Sequence, residues 1–284
     1  DYPDWLSPHM ARAFGEDAAA EGAALAERAP VDIRVNALKT DPDRALKALA
    51  PLGATRLDAL PTALRIPAPA AAERTAPIES LPEFAKGWFE IQDLGSQIAA
   101  AAAGDIAHRQ VLDLCAGGGG KTLALAAAMA NTGQLFAYDA DARRLADTQR
   151  RAQRAGVRNL QVRSPLRPDA LEGLEARMDL VFVDAPCTGS GAWRRHPDAK
   201  WRLTAAQLAR RMAEQDEVLA TAARFVKPGG RIVYVTCSLF AEENEDRVAA
   251  FLENRTDFSA VAPPRGLTPR ASGTDGFYIA VLGR

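Results

Sequence analysis

The chain has 284 residues, 48% of them hydrophobic, and its 35 basic and 36 acidic side chains nearly cancel. That length suffices for one large domain or two modest ones with cores of their own, and the balanced charge leaves only a local basic patch for any nucleic-acid partner. Three scattered cysteines without a CxxC pair, and three scattered histidines, exclude a disulfide framework and argue against a metal site. No apolar run is long enough to span a membrane and "DYPDWLSPHM" has no signal pattern, so the expectation is a soluble, cytoplasmic protein.

Residues 1–30 carry strong helix formers. "VDIRVNAL" (31–38) alternates as a strand, with Val31, Ile33 and Val35 on one face. "DPDRALKALAPLG" then offers Asp41 as N-cap, Pro42 in the first turn and Gly53 beyond the end. "ATRLDALPTALRIP" reads as one or two short strands, and 67–83, rich in Pro and Ala, as linker or loop. From about residue 88 short apolar strands alternate with helices. The strands are "QVLDLC" (110–115), "QLFAYD" (134–139), "NLQV" (159–162), "MDLVFVDAP" (178–186), "GRIVYVTCS" (230–238) and "DGFYIAVLGR". A long helix is expected from about Thr204 to Val226. This alternation predicts an α/β fold with a mostly parallel sheet, in which ligands bind beyond the carboxyl ends of the strands. A small α+β N-terminal domain is expected over 1–85 and a second, larger domain over 86–284.

"DLCAGGGGKT" (113–122) leaves the first of these strands and opens a helix. Its glycines permit positive φ and close approach of backbone N–H groups to a ligand. It is not a P-loop, since the position that motif requires as glycine is Cys115. It is not a dinucleotide fingerprint either, since Thr122 stands where Gly or Ala is required. Asp139 ends the next strand, where a carboxylate can accept both ribose hydroxyls of a nucleoside. Asp141 is the better helix cap, which leaves Asp139 for a ligand. Together these residues point to an adenosine-containing cofactor.

Cys187 in "DAPCTGSG" and Cys237 in "VTCS" each follow a buried strand, on the ligand edge of the sheet. A cysteine at a strand end is more often a small buried hydrophobe. Here both lie where a thiolate is reachable and can be activated. Pro186 fixes the backbone before Cys187, and "TGSG" is expected to supply flexible backbone beside it. "AWRRHPDAKWR" (192–202) interleaves Arg194, Arg195, His196, Lys200 and Arg202 with Trp193 and Trp201. That suits a groove for a phosphate backbone with unstacked bases.

With these motifs the sequence resembles the Sun-type (Fmu) family of RNA cytosine-5 methyltransferases, in its bacterial ribosomal-RNA branch. "RVNALKT" (34–40), "FEIQDLGSQ" (89–97), "DLCAGGGGKT", "DAPCTGSGAWRRHPDAKWR", "YVTCSLFAEENE" (234–245) and "DGFYIAVL" (275–282) carry the resemblance. It implies a class I, Rossmann-like methyltransferase fold with a mostly parallel seven-stranded sheet, S-adenosyl-L-methionine as cofactor and RNA as partner. The target would be an unpaired or flipped cytosine, and the protein a monomer. It further implies Cys237 as nucleophile, Cys187 as the thiol assisting release and Asp184 as the group on the cytosine ring. Cofactor-binding residues would be Cys115, Ala116, Gly117, Gly118, Gly119, Gly120, Lys121, Asp139, Arg144 and Asp184, and RNA-binding residues Arg194, Arg195, His196 and Lys200. No metal is implied.

The sequence departs from the family in two places. Gly117-Gly118 replaces the family's Ala-Pro or Pro-Pro, and Ser164-Pro165 stands where Gly-Asp is expected, so no adenine-binding carboxylate is carried over. Family members often have a further N-terminal RNA-binding domain of the antitermination-factor kind, absent from this sequence by truncation or by nature. Two other readings are open. A methyltransferase acting on an exocyclic nitrogen needs an Asn/Asp-Pro-Pro-aromatic segment, which "DAPCTGSG" is not. A non-catalytic RNA-binding protein retaining the fold would tolerate both departures.

Overall fold

The computed structural model describes residues 1–68 and 78–284. They group into two compact units, Asp1–Ala29 with Gly173–Arg284, and Pro30–Glu172. The expected linker 67–83 falls partly on 69–77, which lies outside the described residues. No helix among the described residues is long and apolar enough to cross a membrane.

The chain begins with two short helices, α1 (Ser7–Phe14) and α2 (Ala18–Ala24). The unit Pro30–Glu172 follows. It opens on an antiparallel sheet made of β1 (Val31–Val35), β2 (Thr55–Arg56), β3 (Ala63–Ile66) and β4 (Phe89–Ile91), in the order β2-β3-β1-β4. Ile33 and Val35 share a buried face with Leu64, Ile66 and Phe89, as the alternation predicts. Helix α3 (Pro42–Leu49) closes over this face through Ala45 and Leu49. Asp41 caps it by accepting from the Arg44 N–H at 2.9 Å, and Gly53 beyond it is left-handed. Two more helices, α4 (Pro82–Ala85) and α5 (Leu94–Ala101), flank β4.

The same unit then carries β5 (Gln110–Asp113), α6 (Gly120–Ala128), β6 (Gln134–Tyr138), α7 (Ala142–Ala155) and β7 (Leu160–Arg163). The three strands pair parallel, β5 with β6 and β6 with β7. Val111, Leu112, Leu135 and Ala137 are fully buried, as strands covered on both faces require. Asp141 caps α7 by accepting from the Arg143 N–H at 2.8 Å, and Gly156 ends it in the left-handed region.

In the other unit, β8 (Met178–Asp184), α8 (Ala199–Arg202), α9 (Ala205–Phe225), β9 (Val226–Thr236) and α10 (Glu245–Asn254) are followed by β10 (Ser259–Ala260), β11 (Arg265–Leu267), α11 (Pro269–Ser272) and β12 (Phe277–Gly283). Strands β8 and β9 run parallel, and β12 lies antiparallel to β9. Beyond the small sheet the described residues contribute eight strands, one more than expected, because both β10 and β11 pair with β12. Thr204 and Gln207 form a reciprocal capping box that starts α9 one residue after Thr204. Helices α1 and α2 belong to this unit. Leu6, Met10 and Leu25 are buried with Trp193, Leu208, Leu239 and Phe240, and Arg12 makes a two-pronged contact with Asp246 at 2.7 and 2.8 Å.

Candidate active site

Parallel pairing of β8 with β9 places Asp184 opposite Val235, so the two strands end side by side. The residues that follow them therefore meet. The Cys187 and Cys237 sulfurs lie 3.3 Å apart, and neither thiol is in a disulfide. Hydrogen bonding with Cys237 and burial push the Cys187 thiol well above the usual thiol range, and the nearby Glu243 charge adds to this. The Cys187 thiol therefore keeps its proton at neutral pH. Asp184, at the end of β8, is half-buried three residues before it.

What holds the two thiol segments in register is a carboxylate that no local motif singles out. Glu243 is fully buried. It accepts from the Thr188 N–H at 2.8 Å, the Thr188 hydroxyl at 2.5 Å, the Gln215 amide at 3.0 Å and the Ser238 hydroxyl. Thr188 follows one cysteine and Ser238 follows the other, so one side chain ties both segments together. Gln215, from α9, also donates to the Pro186 carbonyl at 2.9 Å. Burial pushes the Glu243 carboxyl up, while its donors oppose the shift. Next in the chain, Asn244 accepts from the Thr236 hydroxyl at 2.5 Å and donates to the Ser238 carbonyl at 3.0 Å. The "EENE" run signals only a helix start; its role depends on a contact across the fold.

The expectation that "TGSG" is flexible is corrected by the packing. A Cβ on Gly191 would sit 2.2 Å from the Gly276 carbonyl oxygen. The Gly276 N–H donates to the Gly191 carbonyl at 2.8 Å, and the Gly191 N–H donates to the Cys237 carbonyl at 2.9 Å. Glycine at 191 therefore serves close backbone approach and rigidity, not freedom. Ser190, fully buried, donates to or accepts from Ser238 at 3.1 Å and accepts from the Leu239 N–H at 2.8 Å.

The basic loop divides by burial. Arg194 and Arg195 each donate to Asp275 at 2.5 Å, and the Arg194 side chain is only 5% exposed. Trp193 is core, not a stacking platform. His196 is exposed and Lys200 half-buried, while Trp201 is 57% exposed.

The glycine turn is built in the other unit. Gly117 and Gly119 adopt left-handed φ of +52° and +84°. Asp139 is buried, and its two oxygens accept from the Gly117 and Asp141 N–H groups, each at 2.8 Å. Thr122 donates to the fully buried Asp113 at 2.6 Å, tying the helix start to the strand end. Where the family's proline is missing, one face of α7 braces the loop. The Arg144 guanidinium lies 2.9 Å from where a Gly117 Cβ would stand, the Thr148 hydroxyl donates to the Gly117 carbonyl at 3.3 Å, and Arg151 donates to the Gly118 carbonyl at 2.5 Å. Arg151 is itself fixed by Glu90 at 2.9 Å. Cys115 and Lys121 stand half-buried at the two ends of the turn, with Ala116 buried and Gly120 opening α6. Asp169, six residues beyond the end of β7, is engaged by Arg167 at 2.9 Å. Among the described residues no group of three or more His, Cys, Asp or Glu side chains is placed to hold a metal.

The fold is that of the class I methyltransferases. It superimposes on a methyltransferase homologue from Pyrococcus horikoshii with a TM-score of 0.84 at 28% identity, covering 100% of this chain and 95% of that one. It also superimposes on NSun6 from Pyrococcus horikoshii with a TM-score of 0.87 at 21% identity, covering 99% and 98%. The chain belongs to the 16S rRNA methyltransferase RsmB/F family, whose pattern matches residues 104–283, and residues 2–73 match the ferredoxin-like domain of RsmF/B-like methyltransferases. Among curated proteins it is 31% identical over 300 residues to a probable ribosomal RNA small subunit methyltransferase B of Synechocystis. It is 33% identical over 290 residues to the ribosomal RNA small subunit methyltransferase B of Erwinia tasmaniensis. Each alignment takes in 99% of this chain, which spans 66% of the length of either relative.

Proposed function

We propose that this chain is an S-adenosylmethionine-dependent RNA cytosine-5 methyltransferase acting on small-subunit ribosomal RNA. The observation that carries the reading is the pair of thiols 3.3 Å apart beyond two parallel strand ends, with Asp184 at one of those ends. Methyl transfer to an exocyclic nitrogen has no use for two thiols. Membership of the RsmB/F family and the names of the curated relatives support the substrate class.

The left-handed glycines and the fixed Asp139 carboxylate suit an adenosine-bearing cofactor, and Cys115 to Lys121 with Asp139 and Arg144 would hold it. When bound, the cofactor supplies the methyl group as an electrophilic sulfonium. The chain's own part is to make cytosine nucleophilic. The Cys237 thiolate adds to carbon 6, which turns the ring into an enamine with electron density on carbon 5. Asp184 donates a proton or hydrogen bond at ring nitrogen 3 and stabilises that adduct. After carbon 5 is methylated, a base takes the carbon-5 proton, the freed electron pair restores the ring double bond, and the bond from carbon 6 to sulfur breaks to expel the Cys237 thiolate, with Cys187 assisting. The target base must be unpaired or flipped, and the protein acts as a monomer. Residues 1–85 are proposed as the RNA-binding or accessory region.

Cys237→Ala is expected to abolish methylation, and activity near wild type would remove Cys237 from the nucleophile role. Cys187→Ala is expected to accumulate a covalent RNA–protein adduct, seen as a slow band on a denaturing gel. Absence of that band with an RNA the wild type methylates would end the release role.

A further inference from the structure

We infer that the shallow groove opening onto Cys187 is a phosphate-binding track for the unpaired RNA strand that carries the target base, held by Arg202, Arg210 and Arg211. The inference rests on the reaction proposed above. The groove encloses about 230 Å³, and Cys187, Thr188, Leu203 and the three arginines line it. It ends at the thiol segment itself. None of these arginines is buried in the fold in the way Arg194 is: their side chains are 73%, 73% and 38% exposed.

Their present partners are exchangeable. Arg202 meets Asp198 at 3.6 Å, and Arg210 and Arg211 share the single carboxylate of Glu214. Exposed pairs of this kind add little stability, and two guanidiniums on one carboxylate leave donor capacity over. A guanidinium binds a phosphodiester through paired N–H groups, which makes arginine the suited residue here. Trp201 adds a second feature. Its indole is 57% exposed immediately before Arg202 on the four-residue α8, where it offers a face for an unstacked base. Three cations and an exposed aromatic beside a half-buried thiol pair match a single strand with one base turned inward, not a duplex.

The test uses the full chain and a fluorescein-labelled single-stranded oligoribonucleotide, with binding read by anisotropy over a series of KCl concentrations. Arg202→Ala with Arg210→Ala is expected to weaken binding by roughly tenfold. The slope of log affinity against log salt should flatten by about 0.7 for each phosphate that is no longer neutralised. Glu214→Ala, which releases two guanidiniums, is expected to tighten binding. Arg270→Ala, which removes an exposed arginine elsewhere in the same unit, should change affinity less than about twofold. Affinity and slope unchanged in the double variant, or an equal loss in Arg270→Ala, would overturn the track. Displacement of the RNA by poly-glutamate at matched charge, with the same slope, would overturn the assignment to nucleic acid. A wild type that binds this RNA but methylates neither it nor small-subunit ribosomal RNA sinks the reaction proposed above and leaves the track standing.

Discussion

The sulfur of Cys187 lies 3.3 Å from that of Cys237, and both segments are held by the single carboxylate of Glu243. The two thiols are fifty residues apart in the chain. Cys187 is kept protonated by the hydrogen bond with its neighbour, by burial and by the charge of Glu243. A thiol that keeps its proton can donate a hydrogen bond to the neighbouring sulfur 3.3 Å away.

The raised Cys187 thiol predicts a pH dependence. A thiol raised in the folded protein holds its proton past pH 9, so folded protein binds more protons than unfolded protein there. Stability linked to Cys187 is therefore complete below the ordinary thiol value and is lost as pH rises above it toward the folded value. Thermal melts from pH 7 to pH 10 should show a steeper fall for the wild type than for Cys187→Ser. Equal slopes would show that the Cys187 thiol is not perturbed.

Glu243→Gln keeps the size of the side chain but removes its charge. The two hydroxyl donors, Thr188 and Ser238, can turn to accept, so the variant is expected to fold with a loss of about 1–3 kcal/mol. Cys187 should then be alkylated by iodoacetamide at lower pH than in the wild type, because one cause of its raised pKa is gone. Glu243→Ala strands four buried donors and should cost more, about 3–5 kcal/mol. An unchanged alkylation profile in the folded Gln variant would show that Glu243 braces the loops without influencing the thiol.

Two glycines four and two residues after Cys187 separate packing from backbone conformation. Gly191→Ala drives a Cβ to 2.2 Å from the Gly276 carbonyl, and both sides are backbone, so about 3 kcal/mol or more should be lost. Gly189→Ala meets nothing within 4 Å but must hold φ near +71°, at a cost of about 1–2 kcal/mol. Urea titration of both variants checks the order. A Gly189 variant less stable than the Gly191 variant would contradict the backbone contact.

Local chemistry made much of this molecule legible. Apolar runs bounded by Gly, Pro and Asp marked the strands. Asp41, Asp141 and Thr204 marked helix starts by the same hydrogen bond from side chain to backbone. Strand ends carrying Asp184, Cys187, Asp139 and Cys237 followed from alternation alone, because a parallel sheet collects its carboxyl ends on one edge. What short-range pattern could not reveal was which charged residues face water. Arg194 and Arg195 read as substrate contacts until Asp275, some eighty residues later, took both guanidiniums.

The sequence by itself determined the α/β order of elements, the glycine turn and the two thiols, since each follows from residue type and spacing along the chain. Only the tertiary structure decided that the sulfurs touch, that Glu243 clamps both thiol segments, and that α7 braces a turn lacking its proline. It also decided that Arg202, Arg210 and Arg211, not Arg194, line the groove at Cys187. Each of these depends on side chains meeting across tens or hundreds of residues, where burial and pairing set protonation and exposure, and no local pattern encodes that.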